Sequence, residues 1–380
     1  MTLASLGVAA TTAAELFAGG GGLAQGLRDA GVRPVAAVEL DSYAADVFAA
    51  NHPDVELFRR DVRDVSGSEL LAASSSGHVD ILAACPPCQG FSTLTTKYHR
   101  TDYRADPRNF LVSEVARITR ELQPSALMLE NVPGLAGRGK PILDGLIEEL
   151  EGDGYVVNWS VLQVADFGVP QTRRRLVLLA GKGFSIPMPD PTHSQHGRDG
   201  LPRWRTLRDA LTISAEPVRI DVAMAKGGFH AVDWHIIRKL GRANLQRLRH
   251  ALPGQGRGKL PKKLRPNCHR DSDEGFTNTY GRMTWDQPSS TITAGCLSPS
   301  KGRFGHPEDL RTISLREAAL LQTFPRSYKF VGDKIDAACA VVGNALPCLF
   351  AEAIARRVVR SIDRAQPWIC LPVLTTSVGS

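Results

Sequence analysis

Over residues 14–180, short apolar runs alternate with stretches of helical periodicity. The runs at 35–38, 79–84, 126–129 and 176–180 are too short for helices and continuous enough to be buried on both sides, so they predict strands. Between them Leu111, Val115, Ile118 and Leu122 recur at helical spacing, as do Ile142, Leu143, Leu146, Ile147 and Leu150. Strand alternating with helix predicts a parallel sheet covered by helices on both faces. The texture then changes. Residues 183–204 carry four prolines and two histidines with little periodicity, and read as a linker. Up to about Leu310 the chain is rich in Gly, Pro and Arg, and periodicity returns at 315–321 and 349–359. The pattern predicts an α/β protein with a Rossmann-like domain over 12–185, a smaller irregular lobe over 186–310, and a return segment over 311–365 that completes the first domain.

Composition narrows the class. With 380 residues, 43% hydrophobic and 22% charged, the chain is an ordinary globular one. No uninterrupted apolar run approaches the roughly 20 residues of a membrane helix, and the first residues lack the basic stretch of a secretory leader, so a cytoplasmic protein without a membrane partner is expected. Seven cysteines are too few and too irregular for a disulfide framework. The net charge of +7 is concentrated: residues 183–310 hold 20 Lys and Arg against 12 Asp and Glu. From Trp234 to Arg270 there are 11 basic residues and no acidic one. A solvated basic face would explain this, but so would a surface that meets phosphates, because clustered cations gain free energy by releasing condensed counterions.

Four chemically distinctive positions fall where predicted strands end. The first strand leads into FAGGGG (17–22), where glycines permit positive φ and let a ligand reach the backbone at a helix N-terminus, although a tight turn alone would also use them. Glu39 ends the next strand, twenty residues after Gly19, where an acid can bind ribose hydroxyls. Asp61 follows the run 55–58 and could meet the base of the same nucleotide, or simply cap a turn. Cys88 lies in CPPCQGFS (85–92) and Glu130 in ENVPG (130–134). The C-x-x-C pair raises zinc and redox chemistry. Zinc would need two more ligands, and Cys268, His269 and Cys296 are irregularly spaced, so the pair reads as one nucleophile, Cys88, with a buried inert thiol as the structural alternative. A free thiol near pKa 8.5 must be made more thiolate-like by a helix N-terminus or an arginine. Glu130, partly desolvated at a strand end, would favour its protonated form and could give a proton or a hydrogen bond to a ring nitrogen, or as a structural carboxylate hold backbone amides of the next loop. In QTRRR (171–175), Arg173 and Arg175 fall on one face of an extended segment, suited to a carbonyl, phosphate or carboxylate.

With these pieces in order, followed by REAALLQTFP (316–325) and GNALP (343–347), the chain strongly resembles the bacterial DNA (cytosine-5-)-methyltransferases from about residue 14 to 360. The resemblance implies a methyltransferase domain that uses S-adenosylmethionine, a smaller target-recognition domain, and a cytosine in duplex DNA as acceptor. It implies Phe17, Gly19, Gly21, Gly22, Glu39, Asp61, Pro86 and Asn344 around the cofactor. Cys88 would be the nucleophile at the 6-position of a flipped-out cytosine, Glu130 the group on ring nitrogen 3, and Arg173 and Arg175 the holders of the base and active-site loop. Gln89 and Ser92 would lie near the DNA, Lys262, Lys263 and Arg265 on its phosphates, and Arg282, Thr291 and Thr293 either in the recognition region or in structural roles. Cys85 departs from the family, where glycine is commoner before PPC. A monomer without metal is expected, with a cognate restriction endonuclease as a companion acting on the same site. Three other readings are weaker: an RNA cytosine methyltransferase keeps every motif, a DNA-binding regulator leaves Cys88, Glu130 and QTRRR without a purpose, and a nicotinamide enzyme leaves PPCQ and ENV unused.

Overall fold

The computed structural model describes residues 10–87, 111–270 and 277–365. Its centre is a seven-stranded sheet of β1 (Thr12–Leu16), β2 (Arg33–Val38), β3 (Glu56–Phe58), β4 (Ile81–Ala84), β5 (Ala126–Asn131), β6 (Tyr155–Gln163) and β7 (Arg174–Lys182), in the spatial order β3-β2-β1-β4-β5-β7-β6. Every residue of β1 and β4 is buried, as strands covered on both faces must be. The chain order reverses between β1 and β4. A crevice therefore opens above their carboxyl ends, the place where open α/β sheets take ligands.

The expectation of an all-parallel sheet is corrected at one strand: β7 runs antiparallel to both β5 and β6. Residues 164–173 are too few for the crossover helix a parallel return requires, so the chain doubles back as a hairpin. Strand β6 is absent from the sequence reading because it is an edge strand whose residues are mostly half-buried, which blurs its periodicity.

Helices cover both faces. On one lie α3 (Gly67–Ala72), α4 (Leu111–Leu122) and α5 (Lys140–Gly152), which bury Leu70, Val115, Ile118, Leu143 and Leu146 against the sheet. On the other, α1 (Gly22–Asp29) packs beside α9 (Cys348–Ala365). Phe350, Ile354, Val358 and Ile362 of α9 are buried there, each worth about 2 kcal/mol of apolar burial. Residues 335–365 are apolar and long enough to cross a bilayer, but they form two helices, α8 (Ile335–Asn344) and α9, interrupted at 345–347 and largely buried in the core.

Among the described residues, the basic lobe shares its core with the first domain. Trp234, Ile236, Met283, Ile292 and Phe304 pack in one cluster with Tyr43 and Val47 of α2 (Ser42–Asn51), Leu315 and Leu321 of α7 (Leu315–Leu321), and Phe324, Phe330 and Val342. Its longest helix among the described residues, α6 (Arg242–His250), buries only Leu248. The proline-rich stretch 183–204 is tied down: Asp166 accepts from the amides of Thr192 and His193 through its carbonyl, and from the Trp204 indole through its carboxylate.

Candidate active site

The glycine turn is built by backbone geometry. Phe17, Gly19 and Gly21 have φ of 58°, 56° and 87°, and the left-handed cost at Phe17 marks a constrained turn. The Gly19 amide donates to Glu39 Oε2 at 2.7 Å and the Asp41 amide to Glu39 Oε1 at 2.7 Å, so one carboxylate spans the ends of β1 and β2. Burial raises the Glu39 pKa against the pull of the Asp41 and Gly19 amides. Beyond Gly19 the space is open: an added Cβ would meet nothing within 4 Å. Leu40, next to Glu39, is 65% exposed. Asp61 caps a short 3-10 turn, accepting from the Arg63 amide at 3.0 Å and pairing with its guanidinium at 2.6 Å. That pairing lowers its pKa.

Two residues that sequence reasoning missed shape this turn. The Tyr328 hydroxyl donates to the Gly20 carbonyl, and His52 Nε2 lies 3.3 Å from the Gly21 carbonyl and 3.2 Å from that hydroxyl. A Cβ at Gly21 would come within 2.6 Å of both side chains. Burial, with the Arg28 charge behind it, lowers His52 to about 4, so it is neutral near pH 7. No local pattern announces a histidine 31 residues and a tyrosine more than 300 residues from the loop they support.

Glu130, the penultimate residue of β5, has a charged partner. Arg175 Nε lies 2.5 Å from Glu130 Oε1, both side chains being 13% exposed. Next to it, Asn131 Nδ2 donates to the Pro86 carbonyl at 3.1 Å, tying the start of the PPC segment to β5. Pro86 is buried and Asn344 is exposed at the end of α8. Cys88, Gln89 and Ser92 lie outside the described residues. Among the described residues no group of three or more His, Cys, Asp and Glu could hold a metal ion.

Four other candidate residues make bonds inside the protein. Arg173 is buried and donates from Nη1 to the carbonyls of Ile292 at 3.0 Å and Gly343 at 3.1 Å, so it joins the two lobes. Arg282 is buried with its guanidinium on the carbonyls of Leu248, His306, Pro307 and Glu308. Thr291 donates to the Thr172 carbonyl at 3.0 Å. Arg265 folds back onto the carbonyls of Gly258 and Leu260. In each case a backbone that could not satisfy its own carbonyls recruits a polar side chain. Lys262 and Lys263 are exposed, and Thr293 lies at the lobe junction, where an added Cβ on Gly343 would approach its carbonyl carbon to 2.1 Å.

Comparison with known proteins agrees with this architecture. Residues 11–360 match the family model described as C-5 cytosine-specific DNA methylase. The chain is 36% identical to the type II methylase M.HgiDII of Herpetosiphon aurantiacus, across 92% of this chain and 95% of that one. It is 32% identical to the type II methyltransferase M1.HphI of Haemophilus parahaemolyticus, across 91% and 86%. Among solved structures, the fold matches that of S. pombe Dnmt2 methyltransferase with a TM-score of 0.62 at 16% identity, across 93% of this chain and 99% of the other.

Proposed function

Since this chain belongs to the C-5 cytosine-specific DNA methylases and is a bacterial type II DNA cytosine-5 methyltransferase, we propose that it methylates a cytosine turned out of duplex DNA, through a covalent bond from Cys88 to the 6-position of the ring. The methyl donor is S-adenosylmethionine. The residues present fit it: the turn at Phe17, Gly19, Gly21 and Gly22 leaves open space at Gly19, and Glu39 stands beside it. Asp61, Pro86 and the exposed Asn344 complete the set that would hold the donor. When bound, it supplies an electrophilic methyl group.

The chain's own residues do the rest. Cytosine's 5-position is a poor nucleophile, so the Cys88 thiolate adds to the 6-position while Glu130 gives a proton or hydrogen bond to ring nitrogen 3. The electron pair displaced from the 5,6-bond makes the 5-position nucleophilic. After methyl capture, loss of the proton at the 5-position and departure of the thiolate restore the aromatic ring. Turning the base out follows from the need to reach atoms buried in the stack. The lobe over 186–310 is the target-recognition part, with Lys262 and Lys263 on phosphates and Gln89 and Ser92 near the base. The enzyme works as a monomer in the cytoplasm, at the nucleoid, and its type II relatives support a companion endonuclease with the same target.

The observation that carries this reading is the pinning of Pro86, two residues upstream of Cys88 in sequence, to the strand that presents Glu130. Expressing the chain and mapping 5-methylcytosine in plasmid DNA identifies the target. A duplex of that sequence bearing 5-fluorocytosine should then leave a denaturation-resistant adduct on the Cys88 peptide. Methylation without any such adduct would overturn the covalent step, and unmethylated DNA would overturn the whole reading.

A further inference from the structure

The parallel register that pairs Ala84 with Leu129 brings Cys85, the next residue of the β4 chain, beside Glu130 on β5. From the other side of β5, Arg175 Nε meets Glu130 Oε1. The Cys85 side chain stands next to the same carboxylate, whose charge acts on the thiol. Cys85 and Glu130 line one narrow, mostly apolar space with Leu23, Met128, Val177 and Leu346. We propose that Cys85 is a positioning residue for Glu130: its S–H and the Arg175 guanidinium grip the carboxylate from the two neighbouring strands and fix the oxygen that meets the cytosine ring.

The inference rests on the role given above to Glu130. Burial, and then the nearby charges of Glu130 and Glu15, push the Cys85 thiol well up, which keeps its proton on sulfur and makes it a donor rather than a second nucleophile. Among the described residues, the charged and titratable groups around Glu130 are Cys85 from β4, Arg175 from β7, and Arg173 from the segment before β7, with Glu15 of β1 acting on Cys85. One ion pair leaves a carboxylate free to swing about that contact. A second donor from the opposite side removes the swing, and small losses of alignment are costly in rate.

The test is single-turnover methyl transfer by the full chain, with duplex DNA of the mapped target and S-adenosylmethionine. Cys85→Ala should slow the methyl-transfer step about fivefold to tenfold, the size expected for one weak donor to a charged group, with apparent affinity for DNA and donor within about twofold. Cys85→Ser, which restores a donor, should stay within about twofold of the wild type. Cys85→Gly should repeat the alanine loss, guarding against a fold defect peculiar to one variant. In a Glu130→Gln background the change at position 85 should alter the rate less than about twofold. Normal turnover in Cys85→Ala, or equal slowing in the serine and alanine variants, would overturn the proposal while leaving Glu130 in place. Full activity of Glu130→Gln would overturn the role of Glu130 and this inference with it.

Discussion

Arg173 and Arg175 stand two positions apart, and period-two reasoning put both on one face. The extended segment breaks between them: Gln171–Thr172 pairs with Ser289–Ser290, whereas β7 begins at Arg174. Arg175 therefore reaches Glu130, and Arg173 turns to the carbonyls of Ile292 and Gly343. Glu39 was legible because an acid at a fixed distance from a glycine turn has a chemical reason, but its hold on the Gly19 amide needed coordinates. His52 gives a residue-scale prediction. Its pKa is about 4 in the folded chain against an ordinary 6.5, so between those values the unfolded chain binds the extra proton and stability rises with pH. The contribution, on the order of 3 kcal/mol, is fully present above pH 6.5 and is lost as pH falls toward 4. Urea unfolding at pH 5 and pH 7 should show a smaller difference in His52→Gln than in the parent. An unchanged difference would assign the pH dependence to other groups.

Among the elements, the QTRRR, QTFP and GNALP motifs are fastened to one another. Gln171 Nε2 donates to Gln322 Oε1 at 2.7 Å, while Gln171 Oε1 accepts the Ile292 amide at 2.9 Å. Gln322 Nε2 in turn donates to the carbonyls of Val342 and Ala345. Two buried amides thus join the segment before β7, the basic lobe, the end of α7 and the GNALP turn. Helix α7 is itself set by a capping box, Ser314 with Glu317, and Glu317 is also held by Arg311 at 2.7 Å. Gln322→Leu leaves several buried groups without partners, and should cost about 2–4 kcal/mol by chemical denaturation. Combined with Gln171→Leu the loss should fall well short of additive, since both changes break one chain of bonds. Additive losses would mean the two amides act independently.

For the molecule as a whole, charge was the most legible property and its use the least. Eleven basic residues lie in 234–270, yet Arg247 sits over the Tyr280 ring and donates to the Leu264 carbonyl, and Arg265 is spent on carbonyls of its own turn. The exposed Lys262 and Lys263 keep their ammonium groups at the surface. Reversing both to Glu should weaken binding to every duplex alike and reduce the slope of log affinity against log salt by about two. An unchanged slope would remove this turn from the interface. Taken alone, the sequence determined the α/β class, the strand ends that carry Glu39, Asp61 and Glu130, the family, and the surplus of positive charge, because these depend on local periodicity and on short motifs. Tertiary structure alone decided the reversed strand β7, the support of the glycine turn by His52 and Tyr328, the partners of Glu130, and which arginines are structural. Each of those depends on which buried carbonyl or carboxylate ends up beside which donor, and packing brings such groups together from opposite ends of the chain.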